Sequence, residues 1–402
     1  MTLGNKQILI SGAGIVGLLA AQALKARGVD FVIFDRDRDV HFREDAGWAI
    51  TLHWALDTFL SLLPENLASE IYEAQVRKDF HLCDTGTFRY INASDGSTIL
   101  SIPPSQRLRV RREQIRRILL KGIDVHWNCK LTRVAHLKCG RVVAQCESGR
   151  EFQGDVLLGC DGANSQIRRL FCGDAGRLEV LPVRFCGAKV KISRAEEAHL
   201  ARQFDPLLFQ GTVPENETFF WFSMLSTPDY TLEEDGYFAQ VNLSWKIRGQ
   251  SDEPFGSATE KADAMLAHAR GLHPQLHQLV ARAAKSPENL VEIKLADWPE
   301  VRWDTHQGSV VLLGDVAHAM TMYRGEAANH GIADVADFIG QTDRYLKGDI
   351  PWADAVSNYC EQVYLRAQEA VLLSRQACLD AHDMSKITAG SASPLLTKRK
   401  IS

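Results

Sequence analysis

The strongest constraint on this chain is a turn. Ile8 to Gly17 reads Ile-Leu-Ile-Ser-Gly-Ala-Gly-Ile-Val-Gly, an apolar strand that runs into a helix through Gly-x-Gly-x-x-Gly. Gly12 permits the tight turn, Gly14 lets the backbone approach a pyrophosphate, and Gly17 lets the helix pack close to its strand. The helix N-terminus offers free N–H groups and the positive end of its dipole. Phe31-Val32-Ile33-Phe34 reads as the second strand, and Asp35 closes it at roughly the 20-residue offset where a carboxylate accepts hydrogen bonds from a ribose. Strand, glycine turn, helix, strand and acid together imply a parallel β-α-β unit built around a dinucleotide.

The 402 residues, 45% of them hydrophobic, are enough for two or three domains. A net charge of -4 gives no field for a phosphate backbone, which argues against a nucleic-acid partner. The Arg-rich run over 107–117 is the local exception, and reads either as a solvated strand-to-helix corner or as a cofactor contact. Nine cysteines occur without any Cys-x-x-Cys pair, which points to reduced thiols and a cytoplasmic setting rather than to zinc or disulfides. The first strand begins too early for a signal peptide, and no apolar run is long enough to span a bilayer. The expected partner is a small hydrophobic substrate, and the expected assembly is a monomer or homodimer.

Along the chain, helical spacing over 18–27 stops at Gly28, and an amphipathic helix is expected over 51–63 before Pro64. Residues 88–102 read as a hairpin around Asp95-Gly96, 113–121 as a short helix ended by Gly122, and 125–158 as a small β-meander. From Pro182 to about residue 247 strand-like runs dominate and describe a separate sheet. Within it Tyr237, Ala239, Val241, Leu243 and Trp245 share one face, and Phe238, Gln240, Asn242 and Ser244 the other; one face packs and the other is free to line a cavity. Helices return over 259–270 and 274–285, a buried strand over 309–313 ends at Gly314-Asp315, and helices over 326–346 and 352–383 follow. The stretch 387–402 reads as a frayed end. No cluster has metal-ligand spacing, and no nucleophile elbow is present.

Three stretches look like parts of one cofactor site: the glycine turn with Asp35, Gly159-Cys160-Asp161-Gly162-Ala163-Asn164-Ser165, and Gly314-Asp315-Val316-Ala317-His318. In that combination the chain resembles the class A flavoprotein monooxygenases, the group of para-hydroxybenzoate and salicylate hydroxylases. It is most similar to salicylate-hydroxylase-like enzymes of fungal secondary metabolism, with which it shares Gly47-Trp48-Ala49-Ile50-Thr51-Leu52 and Arg324-Gly325-Glu326. The resemblance covers nearly the whole chain and implies an α/β fold. A glutathione-reductase-type, Rossmann-like FAD domain (1–180 and 286–346) would carry an inserted β-sheet substrate domain (181–285), a C-terminal helix (347–386) and a flexible tail (387–402).

The resemblance also implies roles. Gly12, Gly14 and Gly17 would form the pyrophosphate turn, Asp35 would hold the adenosine ribose, Arg112 would lie along FAD, and Asp315 would bond the ribityl chain. Arg43 and Gly47 would belong to a loop over the isoalloxazine, the backbone of Gly325, Ala327, Ala328 and Asn329 would face the flavin pyrimidine, and Asp161 would support the site from behind. His318 reads as a structural hydrogen-bonder, and His330 is ambiguous. In such enzymes NAD(P)H reduces the flavin, which reacts with O2 and passes one oxygen atom to substrate, so the protein positions substrate and excludes water. Phe209, Phe220, Trp221, Phe222 and Phe238, with Met322 and Tyr323, are the expected substrate contacts, although a plain hydrophobic core accounts for many of them equally well. Lys189 and Lys191 share a strand face, and are either catalytic groups stabilising an oxyanion or solvated edge lysines.

Two family residues are replaced in the third motif: a proline by Met322 and a glycine by Ala327. An alanine at positive φ would cost roughly 1 kcal/mol or more and hold the backbone away from the ring. The substitutions keep an alternative open, in which the same scaffold performs a redox-neutral cyclisation or isomerisation.

Overall fold

The computed structural model describes residues 6–41, 48–228, 236–249, 254–388 and 390–397. β1 (Ile8–Ser11), α1 (Ile15–Lys25) and β2 (Phe31–Phe34) form the expected unit, with β1 and β2 parallel from Ile8↔Phe31 to Ser11↔Phe34. α1 is rich in Ala and Leu and is buried from Gly17 to Leu24, so it lies inside the molecule rather than on its surface. Gly28 follows it at φ +66°.

The next segment departs from expectation. Instead of one helix over 51–63, residues Ala49–Leu52 form β3, and only the short helices α2 (Leu56–Ser61) and α3 (Glu65–Glu70) follow, on either side of Pro64. β-Branched Ile50 and Thr51 favour a strand. The antiparallel partner that fixes it lies in β6, where Ala49 pairs with Arg111 and Leu52 with Leu108.

The chain continues through β4 (Phe88–Asn92), β5 (Thr98–Ile102), β6 (Leu108–Arg111), α4 (Arg112–Leu119) and β7 (Val125–His126). There follow β8 (Leu131–His136), β9 (Val142–Cys146), β10 (Glu151–Gly154), β11 (Val156–Gly159) and α5 (Gln166–Cys172). The expected meander is narrower than its sequence span: β8, β9 and β10 make a three-stranded antiparallel sheet, while β7 and β11 join the central parallel sheet.

Beyond lie β12 (Glu179–Ile192), α6 (Arg194–Gln203), β13 (Leu208–Thr212), β14 (Phe219–Ser226) and β15 (Tyr237–Lys246). Then come α7 (Ala258–His268), α8 (Pro274–Ala284), β16 (Val291–Asp297) and β17 (Val310–Leu312). α9 (Asp315–His318), α10 (Ala327–Leu346) and α11 (Trp352–Asp380) complete the element order.

The central sheet has the order β17-β11-β1-β2-β7, all parallel, so the loops after β1, β2, β11 and β17 open at one edge. In open parallel sheets that edge is where ligands bind. The second sheet has seven strands in the order β16-β12-β15-β14-β13-β4-β5. It draws β4 and β5 from before residue 181 and β16 from after residue 285, so it is assembled from three chain segments rather than from one insertion.

The expected alternation in β15 holds, and it decides which aromatics can meet a ligand. Ala239, Val241, Leu243 and Trp245 pack with Phe209, Phe220 and Phe222 against Met265, Leu276 and Val280 of α7 and α8. On the opposite face Ser244 accepts a hydrogen bond from Tyr323 Oη at 2.7 Å and lies 2.9 Å from His382 Nε2. His382 Nδ1 is 2.7 Å from the Cys378 carbonyl and so donates to it, which leaves Nε2 to accept from the Ser244 hydroxyl.

This arrangement suits a neutral imidazole, and burial pushes His382 down to about 4. The unfolded chain, with a histidine near 6.5, takes up the proton first as pH falls, so stability is lost downward from about pH 6.5. At pH 5 His382 alone is expected to remove about 2 kcal/mol. Urea melts at pH 7.5 and 5.0 check this: His382→Asn should show a shallower acid dependence than the parent, and equal slopes would refute it.

The end of the chain is a correction. Residues 387–397 were expected to fray, but Ile387, Pro394, Leu395 and Leu396 are buried. Ser393 Oγ bonds Asp380 at 2.5 Å, and the Arg324 guanidinium bonds the Pro394 carbonyl. The apolar trio after Ser393 was the signal for docking. Among the described residues, no helix is long and apolar enough to cross a membrane.

Candidate active site

A first cavity of about 500 Å³ opens at the C-terminal ends of β1, β2 and β11. The three turn glycines divide the work there. Gly12 has φ +112°, and a Cβ on it would lie 2.3 Å from the Cys160 carbonyl oxygen; a Cβ on Gly17 would lie 2.0 Å from the Gly12 oxygen. Both are required by packing within the protein. Gly14 is different: a Cβ on it would meet nothing within 4 Å, and Gly14 begins α1 without a side-chain cap or an acid in the first turn. A bare helix N-terminus of this kind suits an anion.

Asp35 sits at the end of β2, where one oxygen accepts from the Ala13 N–H at 2.5 Å and the other from the Asp37 N–H at 2.7 Å. It therefore locks the glycine turn to the second strand while lining the cavity. Asp161 accepts from Ser165 Oγ at 2.6 Å and from the Gln166 N–H at 2.7 Å, so it shapes its own loop. Burial raises its carboxyl above the ordinary value. Arg116 spans the Ala13 carbonyl and Asp37, a contact the sequence reading did not single out.

A second cavity, of about 400 Å³, lies between the seven-stranded sheet, the β3–β6 ribbon and the loop before α10. Trp48, Phe88, Trp221 and Met322 give it flat, apolar walls, and Arg107, Arg109 and Gln210 add polar groups. Arg112 and Asp315 line both cavities. Gly325 takes the left-handed conformation at φ +67°, whereas Ala327 is the first residue of α10 and its φ is not positive. The strain feared for an alanine there is absent. α10 begins with no side-chain cap, and its Ala327 and Ala328 border the cavity. Asn329 is fully buried: its Oδ1 accepts from the His53 N–H and its Nδ2 donates to the Thr51 carbonyl, both at 3.0 Å, stapling α10 to β3.

Several expected contacts lie elsewhere. Phe209, Phe220 and Phe222 are on the far face of the sheet, and Tyr323 is fully buried behind the second cavity. Lys189 and Lys191 are exposed, and neither lines the cavity; the Lys189 ammonium sits 4.2 Å from the centre of the Phe238 ring, which occupies Phe238 as well. Of the two readings of these lysines, the solvated one is observed. Arg43 and Gly47 lie outside the described residues. Phe88, Arg107, Arg109 and Gln210 were missed as cavity residues. The signal for the arginines was available, because Arg107, Arg109 and Arg111 alternate with Leu108 and Val110 as a strand requires.

The family model described as an NAD(P)-binding Rossmann-like domain matches residues 10–73. A protein of Arthroderma benhamiae named "Probable FAD-dependent monooxygenase" is 37% identical over 98% of this chain and 95% of its own length. FAD-dependent monooxygenase dbaB of Emericella nidulans is also 37% identical, over 82% of this chain and 84% of its own. The chain belongs to the FAD-dependent monooxygenases. The structure of Klebsiella pneumoniae HpxO complexed with FAD and uric acid shares the fold, with a TM-score of 0.74 at 18% identity over 95% of this chain and 91% of that one.

In this FAD-dependent monooxygenase the loop after β17 is held from behind by a buried network. Asp334 of α10 accepts from the Gly314 N–H at 2.6 Å and from His318 Nε2 at 2.7 Å on one oxygen, and from Arg366 Nη2 at 2.8 Å on the other. Burial alone would raise the Asp334 carboxyl, but its interactions with His318 and the Arg366 guanidinium hold it well below its ordinary range. His330, between His318 and Arg366, is pushed down to about 2, chiefly by burial and also by the Arg366 guanidinium. His318 is therefore a structural donor, as expected, and His330 a neutral packing group.

Proposed function

We propose that the chain binds FAD across the two cavities and uses NAD(P)H and O2 to hydroxylate, epoxidise or insert oxygen into a flat, hydrophobic aromatic or polycyclic metabolite. The observation that carries this reading is that Arg112 and Asp315 border both cavities, so one elongated dinucleotide could lie in the first and present its ring in the second. The residues fit the group. Gly14 leaves open space at a bare helix N-terminus for a pyrophosphate, Asp35 and Arg112 line the first cavity, and Asp315 stands at the junction. Bound FAD would supply the redox and oxygen chemistry.

The chain's own contribution is placement and shielding. Gly325, Ala327 and Ala328 bring the N-terminus of α10 to the second cavity, where its dipole favours negative charge on a bound ring. Trp48, Phe88, Trp221 and Met322 offer apolar surface against which a planar substrate excludes water. The redox-neutral alternative rests on Met322 and Ala327 together; the φ of Ala327 is not positive, which removes the strain from its grounds and leaves Met322 in the cavity wall.

Purified protein supplied with FAD is expected to retain about one flavin per chain, and to consume NAD(P)H and O2 faster when a planar aromatic such as 1,3-dihydroxynaphthalene is added. Protein that refuses flavin in titration would overturn the reading. Substrate conversion under nitrogen without NAD(P)H would restore the redox-neutral one.

A further inference from the structure

Four arginines border the second cavity, and they are not electrically equivalent. Arg107 is clamped by Asp84 at 2.7 Å and also reaches Asp205 at 3.4 Å, and Arg324 is held by Glu326 at 2.6 Å. Arg112, like Asp315, lines both cavities, so it belongs to their junction rather than to the second cavity alone. Arg109 differs. It is only 4% exposed, and its acceptors are the Met224 carbonyl at 3.2 Å, Thr51 Oγ1 at 2.9 Å and the Ala49 carbonyl at 3.4 Å, all neutral.

Among the described residues no carboxylate bonds Arg109. Asp205 acts on it only at a distance and is shared with Arg107. Burial and the like charge of Arg107 weaken its hold on its proton, to about 9. A guanidinium has five N–H donors, so three acceptors leave two without a partner among the described residues, in a side chain that lines the cavity. A buried cation without a counter-ion is costly, and an anion brought by a ligand would relieve that cost.

We infer that Arg109 is a specificity-determining residue of the second cavity, where it holds an anionic oxygen, a carboxylate or an ionised phenol or enol, of a flat apolar substrate. The inference rests on the second cavity being the substrate site. The ring-bearing body of the ligand would lie against Trp48, Phe88 and Trp221, and the anionic oxygen would complete the hydrogen-bonding of Arg109 and fix which edge of the ring enters first.

Calorimetry on the FAD-loaded protein tests this with paired probes: 2-naphthoate against isosteric 2-naphthamide, and 1,3-dihydroxynaphthalene against its dimethyl ether. At least one anionic probe is expected to bind about 10- to 100-fold more tightly than its neutral partner. A preference within the naphthoate pair assigns a carboxylate. A preference for the diol that grows as pH rises through its ionisation assigns a phenolate. Arg109→Gln should abolish the preference within the pair, and Arg109→Lys should retain part of it.

Equal affinity within both pairs, no binding of any probe, or a preference that survives in Arg109→Gln would overturn the inference. Should Arg109→Gln fail to fold, Arg109→Lys carries the test, and a wild-type preference left undiminished in it would overturn the inference. Flavin uptake and NAD(P)H consumption are measured separately. Protein that takes up FAD yet ignores probe charge sinks only this inference, whereas protein that refuses FAD sinks the monooxygenase reading.

Discussion

Gly12→Ala is expected to destabilise the protein by about 3–5 kcal/mol, while Gly14→Ala leaves its stability within about 1 kcal/mol of the parent and weakens FAD binding at least about tenfold. The two glycines are separated by one residue and fail for different reasons. At Gly12 the new methyl would lie 2.3 Å from a backbone oxygen of the loop after β11, and its φ of +112° is one that side chains rarely adopt. Neither problem has a cheap remedy, since the obstacle is the main chain of that loop where it leaves the central sheet. At Gly14 the methyl meets no protein atom within 4 Å, so its cost arises only when a ligand is present. Urea melts of the flavin-free proteins and FAD titration followed by flavin fluorescence separate the two effects. If Gly14→Ala binds FAD like the parent, the pyrophosphate does not lie at that helix end.

The contrast also explains what the sequence could reveal. The glycine turn, Asp35, the Asp161 loop and Asp315 were legible because each is a local pattern, a short turn with fixed residue types at the end of a strand. The fold was legible for a related reason: parallel buried strands read as apolar runs, as in Ile8–Ser11 and Val310–Leu312. What failed depended on partners distant in sequence. Ala49–Leu52 became a strand because residues 108–111 lie beside it, and the alternation along β14 could show that Trp221 opposes Phe220 and Phe222 without showing which side faces the cavity. Lys189 and Lys191 were assigned a common face but not its exposure. The tail was judged by its polar composition, and Pro394, Leu395 and Leu396 outweigh that by burying apolar surface near Arg324.

Asp334→Ala is expected to remove about 3–5 kcal/mol of stability and to weaken FAD binding without touching either cavity. The side chain is fully buried, and its removal leaves three donors to find new partners: the Gly314 N–H, His318 Nε2 and Arg366. Arg366 keeps Asp337 at 2.8 Å, but Asp337 is 30% exposed and offsets only part of the buried charge. The loss of the Gly314 contact matters for function, because that N–H fixes the turn from which Asp315 enters the junction of the two cavities. Asp337→Ala is the control, expected to cost under about 1 kcal/mol and to leave FAD affinity unchanged. The pH dependence supplies a second reading. Because the Asp334 carboxyl is held below its unfolded value, its contribution is fully present above about pH 4 and is lost as pH falls below that. Asp334→Ala should therefore be closest to the parent in stability at the lowest pH at which both still fold, and a gap that widens on acidification would show that the carboxylate does not carry the network.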